Sequence, residues 1–332
     1  MAVPIVDELE ALRVPLTAHC YRMLGSAADT DDAVQEAMLR AFRHRERYDP
    51  DRGALPPWVF RIATTVCLDL LRAARRRALC VDLGPAAVPG AEIGVPLPAD
   101  RFVEPMPDAR LVAAVDPAEA TTQRETVRLA FVAALQHLPP RQRATLILRD
   151  VLAFSAAETA EVLGTTTASV TSALQRARET LDRHRPAPGD PFDAADPEQR
   201  HLLARYVDAF EAHDVARLTD LLAEDARTSM PPFAWWLEGG ATIAGLIGLG
   251  GCEGARLAPT VISGHPGFGQ YRPDGQGLLR PFALVLVEPR GGRVAHTTTF
   301  LGTADRFGEF GLPAVLDADS RPATDESPAP RT

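Results

Sequence analysis

Lysine is absent from this sequence and cysteine is scarce. All 35 basic residues are arginine, whose planar guanidinium suits phosphate and guanine better than an ammonium does. The four cysteines show neither CxxC spacing nor a regular histidine partner, which argues against a zinc site and a disulfide framework. We expect Cys20, Cys67, Cys80 and Cys252 to be small buried side chains, and we expect no metal and no cofactor.

Long apolar runs are missing as well. The longest uncharged stretches, residues 239–252 and 257–271, are broken by Gly or Pro and fall short of the roughly 20 apolar residues that span a bilayer. No charged start followed by an apolar core and a cleavage site opens the chain, so we expect a cytoplasmic protein. A length of 332 residues exceeds what one hydrophobic core usually organises, which predicts at least two domains.

The net charge of -9 conceals an uneven distribution of charge along the chain. Residues 38–79 hold ten Arg against four acidic residues, and residues 141–185 hold seven against five. The segments around them are acidic: residues 186–332 have 12 Arg against 20 Asp and Glu. Arg-rich islands of this kind are typical of a nucleic-acid surface, although solvated helix faces of an ordinary enzyme could produce the same pattern.

The first part of the chain is predicted to be helical. One helix runs to Gly25, and Asp29 with Asp32 begins a second. Residues 48–57 break the pattern, and Pro56 or Pro57 fits the first turn of a third helix. That helix is expected to turn Trp58, Ile62 and Val66 inward and to end in Arg72, Arg75, Arg76 and Arg77. Residues 80–120, rich in Pro, Ala and Asp, are expected to be a linker.

The later parts differ from each other in class. Residues 121–185 are predicted to be helical and residues 186–197 a spacer. Residues 198–313 show two amphipathic helices followed by strand-like runs, which predicts an α+β domain. The runs are residues 227–230, 257–263, 281–288, 293–301 and 306–310. The polar, Pro-rich residues 314–332 are expected to be a disordered tail.

A helix-turn-helix pattern stands out in LRDVLAFSAAETAEVLGTTTASVTSALQRARETL. Ser155 and Glu158 predict a capping box, Gly164 a sharp turn, and Thr166 or Thr167 the start of a second helix. Five small or apolar residues would pack the two helices together: Ala160, Leu163, Val170, Leu174 and Ala177.

The second helix of this pattern leaves polar side chains exposed. They are Thr167, Ser169, Thr171 and Ser172 near its start, with Gln175, Arg176 and Arg178 further along. Such groups can meet base edges and phosphates in a major groove. The alternative is a helical hairpin whose polar residues merely face water.

These segments resemble a known family. ALQHLPPRQRATLILRDVLAFSAAETAEVLGTTTASVTSALQRAR is similar to region 4 of extracytoplasmic-function sigma factors, a class of the sigma-70 family. CYRMLGSAADTDDAVQEAMLRAFRHRERYD with PWVFRIATTVCLDLLRAARRR resembles their region 2. Residues 201–313 resemble the SnoaL-like domain that is fused to some of these factors. The resemblance implies all-α region 2 (residues 7–79), all-α region 4 (residues 121–185) and a cone-shaped α+β domain (residues 198–313).

The resemblance also implies partners and site residues. Core RNA polymerase would bind the acidic helix through Asp32, Gln35 and Glu36, unless Asp29 and Asp32 only cap that helix. The minus 10 promoter element would meet Trp58, Arg61, Thr64, Arg72, Arg75 and Arg76, with a core position as the alternative for Trp58. The minus 35 element would meet Thr167, Ser169, Thr171, Ser172, Arg176 and Arg178. Departures from the family pattern at Thr65, Val66 and the loop GALPPW predict an altered minus 10 contact.

The SnoaL-like resemblance implies an apolar pocket in the third domain. Trp235, Trp236, His265, Tyr271 and His296 could line it. Proton transfer would need a tuned carboxylate or histidine, for which Asp225 or His296 are the candidates, but we expect no catalytic residue. The favoured hypothesis is a sigma factor whose third domain contacts and modulates the sigma regions. The alternatives are a ketosteroid-isomerase-type enzyme fused to a DNA-binding module and a dimeric one-component repressor.

Overall fold

The chain divides into two units. The computed structural model describes residues 3–51, 53–72, 76–113, 117–184, 190–250 and 252–317. Unit 1 consists of residues 1–79 and 98–188, and unit 2 consists of residues 80–97 and 189–332. The segment expected to be a linker, residues 80–120, is thus shared between the units, and its last residues already belong to a helix.

Unit 1 is all-α, as predicted for both sigma regions. Short 3-10 turns at Arg45–Arg47, Ala99–Arg101 and Asp108–Arg110 and a π-helical turn at Ile147–Val151 join its helices. The helices of its described part are α1 (Val3–Ala11), α2 (Arg13–Leu24), α3 (Ala27–Arg43), α4 (Leu55–Leu70), α5 (Pro117–Val127), α6 (Leu129–Gln136), α7 (Pro140–Leu146), α8 (Ala156–Leu163) and α9 (Thr167–Arg183).

Local chemistry explains the helix boundaries of region 2. The single helix predicted up to Gly25 is two helices, because Pro15 lacks the N–H that would continue α1 into α2 and its ring clashes with the preceding turn. Gly25 ends α2 in a left-handed conformation with φ of 66°. The Ser26 side chain, rather than Asp29 or Asp32, caps α3. Helix α4 has Pro in its first turn as predicted, but it ends at Leu70, before the arginines expected in its last turn.

Unit 2 is α+β, as predicted. Helices α10 (Pro197–Glu211), α11 (Val215–Leu221) and α12 (Gly240–Gly248) pack on a sheet with strand order β2-β1-β6-β5-β4-β3. Strands β1 and β6 are parallel, the other pairs are antiparallel, and β7 pairs with β5. The strands are β1 (Leu222–Ser229), β2 (Trp236–Glu238), β3 (Arg256–Ile262), β4 (His265–Pro273), β5 (Leu278–Arg290), β6 (Arg293–Leu301) and β7 (Leu316–Asp317).

The prediction of a strand over residues 306–310 is wrong. Ala304–Phe310 is a 3-10 helix, in which Phe307 and Phe310 are both buried. Three residues make one 3-10 turn, so this i, i+3 pair lies on one face, whereas a strand would turn the two rings to opposite faces.

The core of unit 2 lies between the helices and one face of the sheet. Apolar side chains of α10 and α11, such as Tyr206 and Leu218, pack against strand residues such as Phe268 and Val287. Residues 80–97 run along the same unit through four hydrogen bonds to residues 232–236. Cys80 Sγ donates to Phe233 O, Trp236 Nε1 to Gly84 O, Ala87 N to Trp236 O and Leu97 N to Pro232 O.

The predicted tail and spacer lie partly outside the described residues. Residues 318–332 and 186–189 are among those the structure leaves undescribed. The start of the expected tail, Leu316 and Asp317, pairs with β5. The end of the spacer is also hydrogen-bonded, since Asp190 N donates to Pro289 O and Asp190 Oδ2 accepts from Gly291 N.

Candidate functional site

An acidic groove lies between α3 and α4. It has a cavity volume of about 320 Å³ and is lined by Asp32, Glu36, Arg40, Val66, Asp69 and Leu70. Asp32 and Glu36 are two of the three residues predicted to bind core polymerase. The third, Gln35, is exposed on the same helix. The walls are charged and the floor is apolar, which suits a basic amphipathic helix.

Sequence reasoning missed the α4 side of this groove. Asp69 adds a third carboxylate, and Leu70 is a large apolar side chain that remains 39% exposed. Arg40 bridges to Glu36 at 2.6 Å and partly neutralises the α3 side. Only the packing of α3 against α4 brings these residues together, so the spacing along the chain carried no signal for them.

The outer face of α4 carries two of the residues predicted for the minus 10 element. With 100° per residue, Trp58 and Arg61 fall within one sector, opposite the buried Val59 and Ala63, and Arg72 follows two residues after the helix ends at Leu70. Arg61 is exposed and Trp58 is half-buried, 5.6 Å from the Tyr48 ring between centroids. Trp58 packs at the rim of the core and keeps an accessible side, so its contact with the minus 10 element stays a prediction.

The structure contradicts the prediction that Thr64 contacts the minus 10 element. It is 1% exposed, and its Oγ1 lies 3.0 Å from His19 Nε2 inside the core of region 2. A buried hydroxyl cannot meet DNA while the domain is folded. Its neighbour Thr65 is exposed on the same sector as Arg61, and its hydroxyl donates to Arg61 O. The phase of the helix was the signal that could have separated the two threonines.

His19 is completely buried in the core of region 2. Burial, reinforced by the nearby Arg22 guanidinium, lowers the pKa of its imidazole to about 3. The ring is therefore neutral at pH 7, and its Nδ1 has no hydrogen-bond partner. The pair with Thr64 is thus the polar contact that satisfies Nε2 in this site.

The remaining minus 10 candidates have different surroundings. Arg72 is exposed and pairs with Asp69 at 3.1 Å. Arg76 NH1 lies 2.9 Å from His137 Nδ1, so its guanidinium contacts region 4. Arg75 lies outside the described residues.

The helix-turn-helix is confirmed in its details. The Ser155 hydroxyl accepts from Glu158 N, and the Glu158 carboxylate accepts from Ser155 N at 2.7 Å, which completes the capping box. These bonds lower the pKa of Glu158. Gly164 has φ of 58°, and Thr166 caps α9. All five residues predicted to pack the two helices together are buried: Ala160, Leu163, Val170, Leu174 and Ala177.

The predicted minus 35 residues are all exposed but do not share one face. Relative to the buried Val170, Ser169, Ser172 and Arg176 project from the outer side of α9. Thr167, Thr171 and Arg178 lie on one flank. The Thr171 hydroxyl donates to Thr167 O, a bond within its own helix.

Arg178 is held by an ion pair. Its Nε and NH2 donate to the two carboxylate oxygens of Asp150 at 2.9 and 2.7 Å. This bidentate pair directs the guanidinium toward the turn before α8. Among the described residues Arg176 has no such pair, so its exposed guanidinium is less restrained than that of Arg178.

The five residues expected to line a pocket in unit 2 occupy different places. Trp235 belongs to the core between helices and sheet, whereas Trp236 is covered by residues 80–97. Tyr271 is fully buried against Phe307, and its hydroxyl donates to Pro313 O. His265, also buried, begins β4. A shared pocket lining for these residues stays a prediction.

His296 has polar neighbours on the adjacent strands. Its Nδ1 lies 3.5 Å from Glu288 Oε1, and its Nε2 lies 3.4 Å from Ser229 Oγ. Burial lowers the pKa of His296, against the effect of Glu288, which raises it. The other catalytic candidate, Asp225, is largely exposed and forms an ion pair with Arg290.

Two further findings concern the cysteines and the helices. Cys20, Cys67 and Cys80 are buried as predicted, Cys252 is half-buried, and all four are free thiols. A hydrogen bond with Cys20, together with burial, raises the pKa of the Cys67 thiol. In the part of the chain that the structure describes, no helix combines the length and apolar character needed to cross a bilayer.

Known proteins match this architecture. The family model for Sigma-70 region 2 matches residues 9–77, and the model for Sigma-70, region 4 matches residues 128–181. The ECF RNA polymerase sigma factor SigG of Mycobacterium tuberculosis is 44% identical over 317 residues, covering 92% of this chain and 83% of SigG. SigJ of the same organism is 34% identical over 225 residues, covering 66% of this chain and 62% of SigJ.

A solved structure extends the likeness to unit 2. The crystal structure of the Mycobacterium tuberculosis sigma factor SigJ aligns over 93% of this chain and all of SigJ, with 25% identity and a TM-score of 0.58. Unit 2, with its helices on one mixed sheet, has the SnoaL-like fold. The ordered sigma regions and the similarity to SigG over most of both chains show that this protein belongs to the extracytoplasmic-function RNA polymerase sigma factors.

Proposed function

We propose that this sigma factor docks on core RNA polymerase through the groove between α3 and α4. The observation that carries the proposal is the arrangement of three carboxylates, Asp32, Glu36 and Asp69, around an apolar floor. Gln35 adds an exposed amide at the same edge. A helix of the polymerase with arginine or lysine beside apolar residues complements this surface in charge and shape.

Competition for core polymerase tests the groove. Asp32→Asn and Asp69→Asn should each weaken the binding of core enzyme up to tenfold at low salt and less at high salt, because a rim charge acts through screened attraction. Asp7→Asn, an exposed carboxylate on α1, is the matched control. Equal affinity of all three variants across salt concentrations contradicts the docking site.

For the minus 10 element we propose the outer strip of α4. Trp58 would stack on an unpaired base, and Arg61 and Arg72 would hold the single strand. Thr65, rather than the buried Thr64, would contact this element. From residue 58 to residue 70 the helix is about 18 Å long, enough for several nucleotides, and Arg72 lies just beyond its end. Arg75 and Arg76 are further proposed contacts with this element, and Arg76 must leave His137 to make its contact.

For the minus 35 element we propose that Ser169, Ser172 and Arg176 read base edges in the major groove. Thr167, Thr171 and Arg178 on the flank would position the helix through phosphates. Arg178 must exchange Asp150 for a phosphate to do so.

We propose that unit 2 modulates the sigma regions and catalyses no reaction. Its sequence is acidic, and its structural bonds to residues 80–97 attach it to the segment that joins regions 2 and 4. Ser229 beside His296 is only 4% exposed.

Reconstituted transcription decides between these functions. Core polymerase with the full chain should initiate transcription at promoters where core enzyme alone does not. If the mixture initiates at no such promoter, the proposal is overturned. Trp236→Phe removes the bond to Gly84 and should change promoter output while leaving core binding intact. Turnover of a small molecule that His296→Ala abolishes would favour the enzyme alternative.

A further inference from the structure

Asp150 lies in a turn of unusual backbone geometry between α7 and α8. Ile147–Val151 form a single π-helical turn, a rare element that is frequent at functional sites. The turn is closed by a hydrogen bond of 2.9 Å from Leu152 N to Ile147 O. Ala153 then has φ of 55°, a left-handed conformation that is uncommon for a residue with a side chain. The backbone therefore fixes the position from which the Asp150 carboxylate projects.

This carboxylate holds Arg178 of α9 in a bidentate ion pair. Nε and NH2 of the guanidinium donate to the two carboxylate oxygens at 2.9 and 2.7 Å. Asp182 lies one helical turn beyond Arg178 and is exposed, but in the described part of the chain it forms no ion pair with that guanidinium. The arginine thus pairs with a residue 28 positions away along the chain rather than with one in its own helix.

Stability of the fold does not account for the pair between Asp150 and Arg178. The side chain of Arg178 is 57% exposed and that of Asp150 is 31% exposed. Ion pairs in such positions contribute little to stability, because water screens the attraction and two side chains lose freedom. The pair does change the charge of the surface, since a guanidinium bound to a carboxylate carries no net charge.

Arg178 occupies the part of α9 that meets the DNA backbone rather than the bases. From Thr167 it lies about 16 Å along the helix axis, which is three turns. A recognition helix contacts base edges with its first turns, so a position this far along lies beside phosphates. Phosphate and carboxylate both bind the two-pronged edge of arginine, and Asp150 already occupies the edge formed by Nε and NH2.

We propose that Asp150 competes with DNA phosphate for Arg178 and thereby lowers the sequence-independent affinity of region 4 for DNA. This inference rests on the proposed function of α9. A phosphate must displace the carboxylate before it gains the charge of Arg178, and Asp150, fixed in its turn, stays nearby and repels the phosphate. Contacts from Ser172 and Arg176 to bases carry no such cost, because these residues lie on the outer side of the helix.

The consequence is weaker retention of the chain on DNA outside promoters. Sequence-independent affinity comes from phosphate contacts, and a genome offers a very large excess of such sites. A competitor built into region 4 weakens one of these contacts at every site. Asp150 is in this sense a positioning residue, since it acts on DNA through Arg178.

Binding of the full chain to duplex DNA of mixed sequence tests the inference. Asp150→Asn keeps the size of the side chain and removes its charge, so it should raise the affinity about three- to tenfold at low salt and steepen the salt dependence by about one phosphate contact. Asp182→Asn, the matched control, removes the same charge from the same helix surface without breaking the pair and should raise the affinity less than about twofold. Fluorescence anisotropy of a labelled duplex over a series of salt concentrations measures both quantities.

A second background shows whether Asp150 acts through Arg178. In Arg178→Ala, the added change Asp150→Asn should raise the affinity no more than Asp182→Asn does, because the guanidinium that the phosphate would gain is gone. A role of Asp150 in folding alone predicts something else, namely weaker DNA binding by Asp150→Asn in both backgrounds.

The outcomes separate this inference from the proposed function. Unchanged or weaker DNA binding by Asp150→Asn overturns the competitor role. Equal increases from Asp150→Asn and Asp182→Asn, or an increase that persists in the Arg178→Ala background, overturn it as well. Absence of duplex binding by wild type and Asp150→Asn alike overturns the proposed DNA-binding role of α9 instead.

Discussion

Replacing Thr64 with valine separates a structural role from a DNA-binding role at one position. Valine has nearly the shape of threonine, so Thr64→Val opens no cavity in region 2 and removes only the hydroxyl. That hydroxyl lies 3.0 Å from His19 Nε2 in a site from which water is excluded. Since Nδ1 of the same ring already has no partner, the substitution leaves both ring nitrogens unsatisfied.

The expected loss follows from the burial of the pair. An unsatisfied polar group in a buried site costs about 1–3 kcal/mol, so Thr64→Val should lower the free energy of unfolding by that amount at pH 7. The neighbouring substitution Thr65→Val changes an exposed hydroxyl and should alter stability by no more than about 0.5 kcal/mol. Thr65 lies on the outer strip of α4, so its loss should weaken minus 10 binding.

Two assays on the same pair of variants check this reasoning. Urea unfolding at pH 7 measures stability, and binding of the polymerase complex to a forked minus 10 DNA measures recognition below the unfolding range. Thr64→Val should be unstable but bind normally, and Thr65→Val should be stable but bind more weakly. The opposite result, with normal stability and weak DNA binding for Thr64→Val, refutes the assignment of Thr64 to the core.

Three other predictions concern pH, capping and DNA affinity. Burial lowers the pKa of His19 from 6.5 to about 3, so the neutral ring stabilises the fold fully above pH 6.5, and about 2 kcal/mol of stability is lost by pH 5. Between pH 7 and 5 the free energy of unfolding, measured with urea, should therefore fall more steeply for wild type than for His19→Gln. Ser155→Ala breaks the capping box and should destabilise the helix-turn-helix by about 1 kcal/mol, seen as faster hydrogen exchange in α8. Arg178→Ala should reduce the salt dependence of minus 35 binding by about one phosphate contact, whereas Arg176→Ala should relax the preference for particular bases with a smaller change in that dependence; equal salt dependence of the two variants would contradict the assigned roles.

Local sequence signals located the elements of the DNA-binding module. The Ser155 and Glu158 pair, Gly164 and the apolar spacing from Val170 to Ala177 each act within a few residues, so they could be read without knowledge of the fold. The exposure of the α9 polar residues followed from the same periodicity.

Strand β4 was missed for the opposite reason. HPGFGQYRP contains two prolines and two glycines, which disfavour a strand locally. In the sheet, β4 lies between β3 and β5, where Gly267 and Gly269 let neighbours approach closely. A Cβ at Gly267 would lie 2.6 Å from Ile262 Cδ1 and 2.8 Å from Val285 O. Long-range pairing therefore outweighed the local preference.

Sequence alone determined the family, the all-α and α+β classes and the positions of the acidic helix and the helix-turn-helix, because these rest on periodicity, caps and motif order. Tertiary structure decided which side chains are accessible. Thr64 turned out to be buried where Thr65 is exposed, and Asp69 joined Asp32 across a groove. The phase of α4 could have separated the two threonines, but the juxtaposition of Asp32 and Asp69 depends on the packing of α3 against α4, which no local pattern encodes.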